Sequence, residues 1–282
     1  LARGLNRRAV LAALPLAALS AKAYAAAPGL ILSGKYVQGG YVVGHTTPRA
    51  VIDVDGQVLA TASANGWFFV GFDRDAPPTS VLTVTTPEGS ASHQASITPG
   101  DFDIQRINGL PPEQVSPTDP VLLQRLLAEG ARKQAGFSSL ADIEGFRDGF
   151  ILPVTGARRS ARFGGQRILN GEPKRPHFGV DLATPVGTPV RAPASGLVAF
   201  AETGLHFEGG LVLIDHGQGL ITAYLHLSKI LVTPGTYLKQ GQVFAQTGKE
   251  GRATGPHLCW RMKWRDRNLD PSLLVGAGPF RG

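Results

Sequence analysis

Between Pro28 and Asn108 short apolar, β-branched runs recur between turn residues: Leu30 to Leu32, Tyr36 to Val43, Ala50 to Val54, Trp67 to Phe72, Val81 to Thr86 and His93 to Ile97. Asp55-Gly56 separates Ile52-Asp53-Val54 from Val58-Leu59-Ala60, and both turn residues tolerate positive φ, so this stretch predicts a tight hairpin. Short strands at such spacing predict a small immunoglobulin-like β-sandwich over 26–110. Four prolines between Leu110 and Pro120 mark a linker, which with the segments after it spans 111–149. Within it, Pro120 to Gln134 predicts a helix capped by Thr118 or Asp119, with Leu122, Leu123, Leu126 and Leu127 as its packing stripe. Ser138 to Phe146 suggests a second short helix. From Phe150 to about Val275 the pattern returns to β, with turns at Thr233-Pro234-Gly235 and Lys239 to Gln242 and long loops after Arg158 and Glu202. The fold class is therefore mainly β: a sandwich, a helical linker and a C-terminal antiparallel sheet over 150–275, with 276–282 as a tail.

Composition changes this picture at one end. The chain has a formal charge of +7, of which Arg3, Arg7, Arg8 and Lys22 contribute four with no acid among the first 25 residues. Those basic residues flank the apolar run Ala9 to Leu19, and Ala23-Tyr24-Ala25 is a small-x-small cleavage signature. Residues 1–25 read as an export signal, too short in its apolar part to span a bilayer, so the expected destination is the periplasm or cell envelope with no membrane span after cleavage. The Arg7-Arg8 pair is compatible with either Sec or twin-arginine export. The remaining basic residues are interspersed with acids and lack interleaved aromatics, which argues against a nucleic-acid partner.

Candidate chemistry lies in the C-terminal section. In Arg175-Pro-His177-Phe-Gly179-Val-Asp181 the histidine and aspartate are four apart; a fully extended chain would hold them about 13 Å apart, too far for one metal ion. A bend at Gly179 would bring them together. In His257-Leu-Cys259-Trp-Arg261-Met-Lys263-Trp264 the alternation puts Leu258, Trp260, Met262 and Trp264 on one face and His257, Cys259, Arg261 and Lys263 on the other. The only cysteine of the chain thus shares a face with a histidine, away from the apolar side, and no intramolecular disulfide is possible. Tyr224-Leu225-His226-Leu227 by the same rule places Tyr224 with His226. His177, Asp181 and Cys259 offer N, O and S donors suited to a tetrahedral zinc ion with one open position, and His226 and His257 remain to move protons, a combination that fits amide hydrolysis.

Residues 151–275 resemble the M23 family of zinc metallopeptidases (LytM or lysostaphin-like). The matching stretches are Arg162-Phe-Gly164, His177-Phe-Gly-Val-Asp181, Ala183 to Val190, Ile214-Asp-His-Gly217, Tyr224-Leu-His226-Leu227, Gly235 to Gln242 and Thr254-Gly-Pro-His257-Leu258. The resemblance implies metal ligation by His177 and Asp181 and a catalytic pair His226 and His257, acting on peptide bonds in the stems or cross-links of peptidoglycan. The family's third ligand is the second histidine of a His-x-His pair, and here that position is Cys259. With a thiolate there the zinc site would sum to zero charge rather than plus one, making the metal a weaker Lewis acid. The alternative is a degenerate, non-catalytic member that regulates a cell-wall amidase or binds the wall.

Other polar residues have plainer readings. His45 and His93 lie in the sandwich without ligand partners, and His216 reads as a hydrogen-bonding residue of a turn. His206 and the loop charges Lys249 and Arg252 could touch a peptide substrate, Arg252 and Lys249 through a carboxylate, although loop residues of this kind are commonly solvated.

Overall fold

The computed structural model describes residues 29–111 and 115–282; the segment expected to be an export signal and part of the Pro-rich linker lie outside them. Seven strands form the N-terminal sandwich: β1 (Ile31–Lys35), β2 (Tyr41–His45), β3 (Val51–Val54), β4 (Gln57–Thr61), β5 (Trp67–Gly71), β6 (Thr79–Thr86) and β7 (Gly89–Ser96). They pair as β1-β2-β5 and β4-β3-β6-β7, two sheets of an immunoglobulin-like arrangement, with Ile52, Phe68, Phe69 and Val84 in the shared core. Asp55 and Gly56, at φ 56° and 83°, make the expected turn between β3 and β4.

After the sandwich come β8 (Ile104–Ile107) and α1 (Pro120–Phe137). Asp119 caps α1 by accepting from the Val121 N–H at 3.1 Å, and Pro120 occupies the first turn. The helix seats differently from the expected leucine stripe: Leu122 and Leu126 are half-buried, but Leu123 is 41% and Leu127 75% exposed. Glu129 and Gly136 point inward instead. Glu129 accepts from Arg125 Nε at 2.7 Å and from the His206 backbone N–H at 3.0 Å, so a polar anchor rather than leucine packing sets the helix rotation. Gly136 lets the helix touch the sheet, since a Cβ there would lie 2.8 Å from Phe200 Cβ. The second helix expected over 138–146 is reduced to one 3-10 turn at Gly145–Asp148, where the segment before it is tied to the sheet by Ser139 and the Ala141 N–H, both bonded to Asp215.

The C-terminal strands are β9 (Arg158–Ala161), β10 (Gln166–Leu169), β11 (Glu172–Pro173), β12 (Gly179–Ala183), β13 (Pro189–Arg191), β14 (Gly196–Leu205), β15 (Gly209–Asp215), β16 (Leu220–Leu225), β17 (Leu227–Ile230), β18 (Tyr237–Leu238), β19 (Val243–Thr247), β20 (His257–Trp264) and β21 (Arg267–Leu269). The main sheet runs β18-β14-β15-β16-β20-β12-β9, with β21 on β20. The stretches read as long loops after Arg158 and Glu202 are mostly strand: β9 to β11 fill the first, and β14 continues to Leu205 before turning into β15. β10 pairs in parallel with β8, so the chain leaving the sandwich is stitched to the C-terminal half beside the site.

The apolar face of β20 is buried as expected, with Leu258, Trp260, Met262 and Trp264 at most 1% exposed. The sandwich docks on this end of the sheet. Arg267 Nη1 donates to the Gly71 carbonyl at 2.9 Å, and the Asn268 N–H donates to Asp73 at 2.8 Å.

Candidate active site

Strand register brings the donors together. Asp181 on β12 lies directly opposite Cys259 on β20, and Cys259 is in turn opposite Leu225 on β16. Directly opposed residues point to the same face, so carboxylate and thiol share one surface of the sheet. His177 precedes β12; its N–H donates to the Gly165 carbonyl and its carbonyl accepts from the Gly164 N–H, both at 2.8 Å. The chain bends between it and Asp181, which brings His177 Nε2 to 3.1 Å from Asp181 Oδ1 and 3.4 Å from Cys259 Sγ. Gly179 makes the close approach possible, because a Cβ there would sit 2.8 Å from Arg261 Cγ and 3.1 Å from Cys259 Sγ.

His257 stands across from Asp181, with Nε2 at 3.8 Å from Oδ1. The expectation that His226 shares a face with Tyr224 does not hold. His226 adopts φ 66°, which breaks the strand alternation immediately after β16. Tyr224 stays in the main core, bonded to Thr222 at 2.8 Å, while His226 turns to the side of Leu225 and Cys259 and lies with its ring centroid 4.6 Å from that of His257.

All five residues singled out in the sequence therefore line one cleft of about 270 Å³. Of its other walls, the sequence marked Arg261, on the Cys259 face of β20, and the loop charge Arg252; the rest come from the structure. Ile107 and Leu110 come from the segment after β8, Arg167 from β10, Phe207 and Glu208 from the β14–β15 turn, and Arg252 from the loop before β20. One overlooked signal was Asn170-Gly171, whose positive φ values make the turn between β10 and β11 and which marks Arg167 as a strand residue. Of the remaining histidines, His216 is the structural residue expected, fully buried between the Ser195 carbonyl and Thr222. His206 packs edge-on against Phe207.

Electrostatics follow from burial. Burial pushes His177 below its ordinary value against the pull of Asp181. Burial alone would raise Asp181, but the bond from His177 and the neighbouring His257 hold it well below the usual carboxylate range. Burial moves His226 down to about 4, so its imidazole is neutral near pH 7. Burial also lifts Cys259 to about 12 in the face of Arg261, whose Nε donates to Sγ at 3.4 Å. A bound divalent cation would reverse that last shift, since a coordinating thiol gives up its proton outright.

The three donors fit a zinc ion. Their ligand atoms lie within 4.8 Å of one another. A tetrahedral zinc with ordinary bond lengths needs N···O and N···S separations of about 3.3 and about 3.6 Å, close to the 3.1 and 3.4 Å found.

Residues 175–271, which contain all five of these side chains, match the model of peptidase family M23. The chain carries an M23 peptidase domain. Over 96 residues the chain is 43% identical to the peptidoglycan DD-endopeptidase ShyA of Vibrio cholerae serotype O1, a match covering 34% of this chain and 22% of that protein. Over 129 residues the chain is 36% identical to the DD-carboxypeptidase/endopeptidase Mpg of Neisseria gonorrhoeae, covering 46% of this chain and 30% of that one. The chain thus spans less than a third of the length of these curated relatives. A Pseudomonas aeruginosa crystal structure assigned to peptidase M23 overlays on 86% of this chain and 96% of its own, with a TM-score of 0.65 at 29% identity. That overlay extends well beyond the M23 domain.

Proposed function

We propose that the protein is an exported, zinc-dependent endopeptidase of the periplasm or cell envelope that hydrolyses peptide bonds in peptidoglycan stems or cross-links, with residues 150–275 as its catalytic unit. The observation that carries this reading is the convergence of His177 Nε2, Asp181 Oδ1 and Cys259 Sγ within 4.8 Å, facing the His226 and His257 pair in one cleft. The DD-endopeptidase and carboxypeptidase activities named for the relatives supply the substrate class.

His177, Asp181 and Cys259 would hold the zinc, which when bound polarises a scissile carbonyl and acidifies water. Both remaining histidines are oriented by backbone carbonyls: His226 Nδ1 lies 2.7 Å from the Glu250 carbonyl, and His257 Nδ1 lies 2.8 Å from that of Gly255. A carbonyl only accepts, so each ring carries its proton on Nδ1 and keeps Nε2 as the basic nitrogen. Neutral His226 can then take a proton from the attacking water, and His257 beside it can bond the developing oxyanion or pass a proton to the leaving amine once protonated.

The test is mass spectrometry of purified sacculi incubated with the full chain, zinc-loaded and chelated in parallel. New stem-peptide ends that appear only with zinc support the peptidase and identify the bond. A folded, zinc-loaded protein that releases nothing from several wall types overturns it in favour of a non-catalytic regulator.

A further inference from the structure

Arg261 reaches the candidate metal centre through one of its donors. It follows Cys259 by two positions on β20, so it rises from the same face of the sheet. The residues directly opposite it are Gly179 on β12 and Ala223 on β16. Both are small, and the Arg261 stem occupies the space that Gly179 leaves: a Cβ there would lie 2.8 Å from Arg261 Cγ. The side chain turns toward position 259, where Nε donates to Cys259 Sγ at 3.4 Å. What it lacks is an acid. Arg261 is half-buried, and among the described residues no carboxylate forms an ion pair with it. Glu208, in the same cleft, is bonded to Lys133 at 2.7 Å, while Asp181 is met by His177 at 3.1 Å and by Arg167 at 3.7 Å. A cation drawn out of water beside a neutral thiol carries an uncompensated desolvation cost. Beside a thiolate the same cation makes a charge-assisted pair. Cys259 becomes a thiolate when it ligates a metal, so the arrangement is matched to the metal-bound state.

We propose that Arg261 is a charge-balancing positioning residue of the metal centre, whose Nε–H holds the Cys259 thiolate as a ligand and draws electron density from its sulfur. This rests on the proposed zinc site and is independent of the substrate. With a thiolate in place of an imidazole the metal and its three ligands carry no net charge, and Arg261 restores the plus one that an imidazole at 259 would leave. The thiol proton leaves to solvent on metal binding, and Arg261 keeps its own. A sulfur engaged by a guanidinium donates less to the metal, which offsets the loss of Lewis acidity that the cysteine brings.

The test loads the full chain with cobalt(II) in place of zinc and reads the near-ultraviolet sulfur-to-cobalt charge-transfer band. Arg261→Gln should move the band to longer wavelength, because a thiolate without its donor gives up an electron more easily. Arg261→Lys, which loses the fork but keeps the charge, should lie nearer the wild type, whereas a packing role would be lost in both. Arg261→Met gives the same reading if Arg261→Gln folds poorly. Hydrolysis of sacculi by the zinc-loaded proteins then closes a double-mutant cycle with Cys259→His. Arg261→Gln should cost about 10- to 100-fold when residue 259 is cysteine and at most about threefold when it is histidine. An equal loss in both backgrounds, as for an arginine that binds substrate, overturns the proposal. So does a band that stays in place when the charge at 261 is removed. Cobalt bound by the wild type with no sulfur band strikes the ligand assignment of Cys259 and the pairing with it. If no variant and no wild type cleaves sacculi, a band that follows the charge at 261 sustains the proposal, and only the peptidase reading falls.

Discussion

Gly179→Ala isolates the bend that joins the metal donors. The added methyl would lie 2.8 Å from Arg261 Cγ, 3.0 Å from the Trp260 carbonyl oxygen and 3.1 Å from Cys259 Sγ. The carbonyl belongs to the centre of β20 and cannot move without disturbing its pairing with β12 and β16, so relief must come from shifting Cys259, Arg261 or the bend itself. Overpacking of this kind costs about 1–3 kcal/mol, and at about 2–4 °C per kcal/mol it lowers Tm by roughly 2–12 °C. Because the displaced atoms include a donor, zinc affinity should fall by about 10- to 100-fold, the range seen when ligand positioning is lost. The counterpart is Gly130→Ala in α1, where the added methyl meets nothing within 4 Å and a gain of about 0.5–1 kcal/mol is expected from helix propensity. Circular-dichroism melts and zinc competition against a chromophoric chelator read both effects. A Gly179→Ala protein that melts with the wild type and keeps its zinc affinity would refute the packing argument.

Cys259→Ser should lose zinc by elemental analysis of the dialysed protein, whereas Cys259→His should retain it and keep or raise hydrolysis of sacculi. His216 is fully buried and burial lowers it from 6.5 to about 4. The unfolded chain therefore binds the extra proton first: the contribution is complete above about pH 6.5 and lost as pH falls through about 4. At about 1.36 kcal/mol per unit it is worth about 3 kcal/mol, measurable as a shrinking urea midpoint over that window. Glu129→Ala removes the carboxylate that ties α1 to the His206 N–H, and the Glu208 carbonyl in the same turn accepts from the His226 N–H at 2.8 Å. It should cost about 1–3 kcal/mol and speed hydrogen exchange at 205–209 and at His226.

What was legible in the sequence is what local period and turn chemistry control. The β20 alternation placed His257, Cys259 and Arg261 on the cleft side, and Asp55-Gly56 gave its hairpin. The face of His226 was not legible, because one residue in the left-handed region undoes a period-two argument. The setting of α1 was not legible either, since a buried Glu129 outweighed four leucines once the His206 N–H was within reach. The cleft walls from β8 and β10 were hidden for a third reason. The parallel pairing of β8 with β10 joins residues some sixty positions apart, and nothing in either segment announces its partner. The same long-range pairing explains why Arg167 entered the site only through the structure.

The most direct measurement on the metal centre is zinc X-ray absorption of the loaded full chain. The donor set of His177, Asp181 and Cys259 predicts one sulfur scatterer at about 2.3 Å with nitrogen and oxygen at about 2.0–2.2 Å, and loss of the sulfur shell in Cys259→His. Zinc bound stoichiometrically with only nitrogen and oxygen neighbours would remove Cys259 from the site and contradict the account.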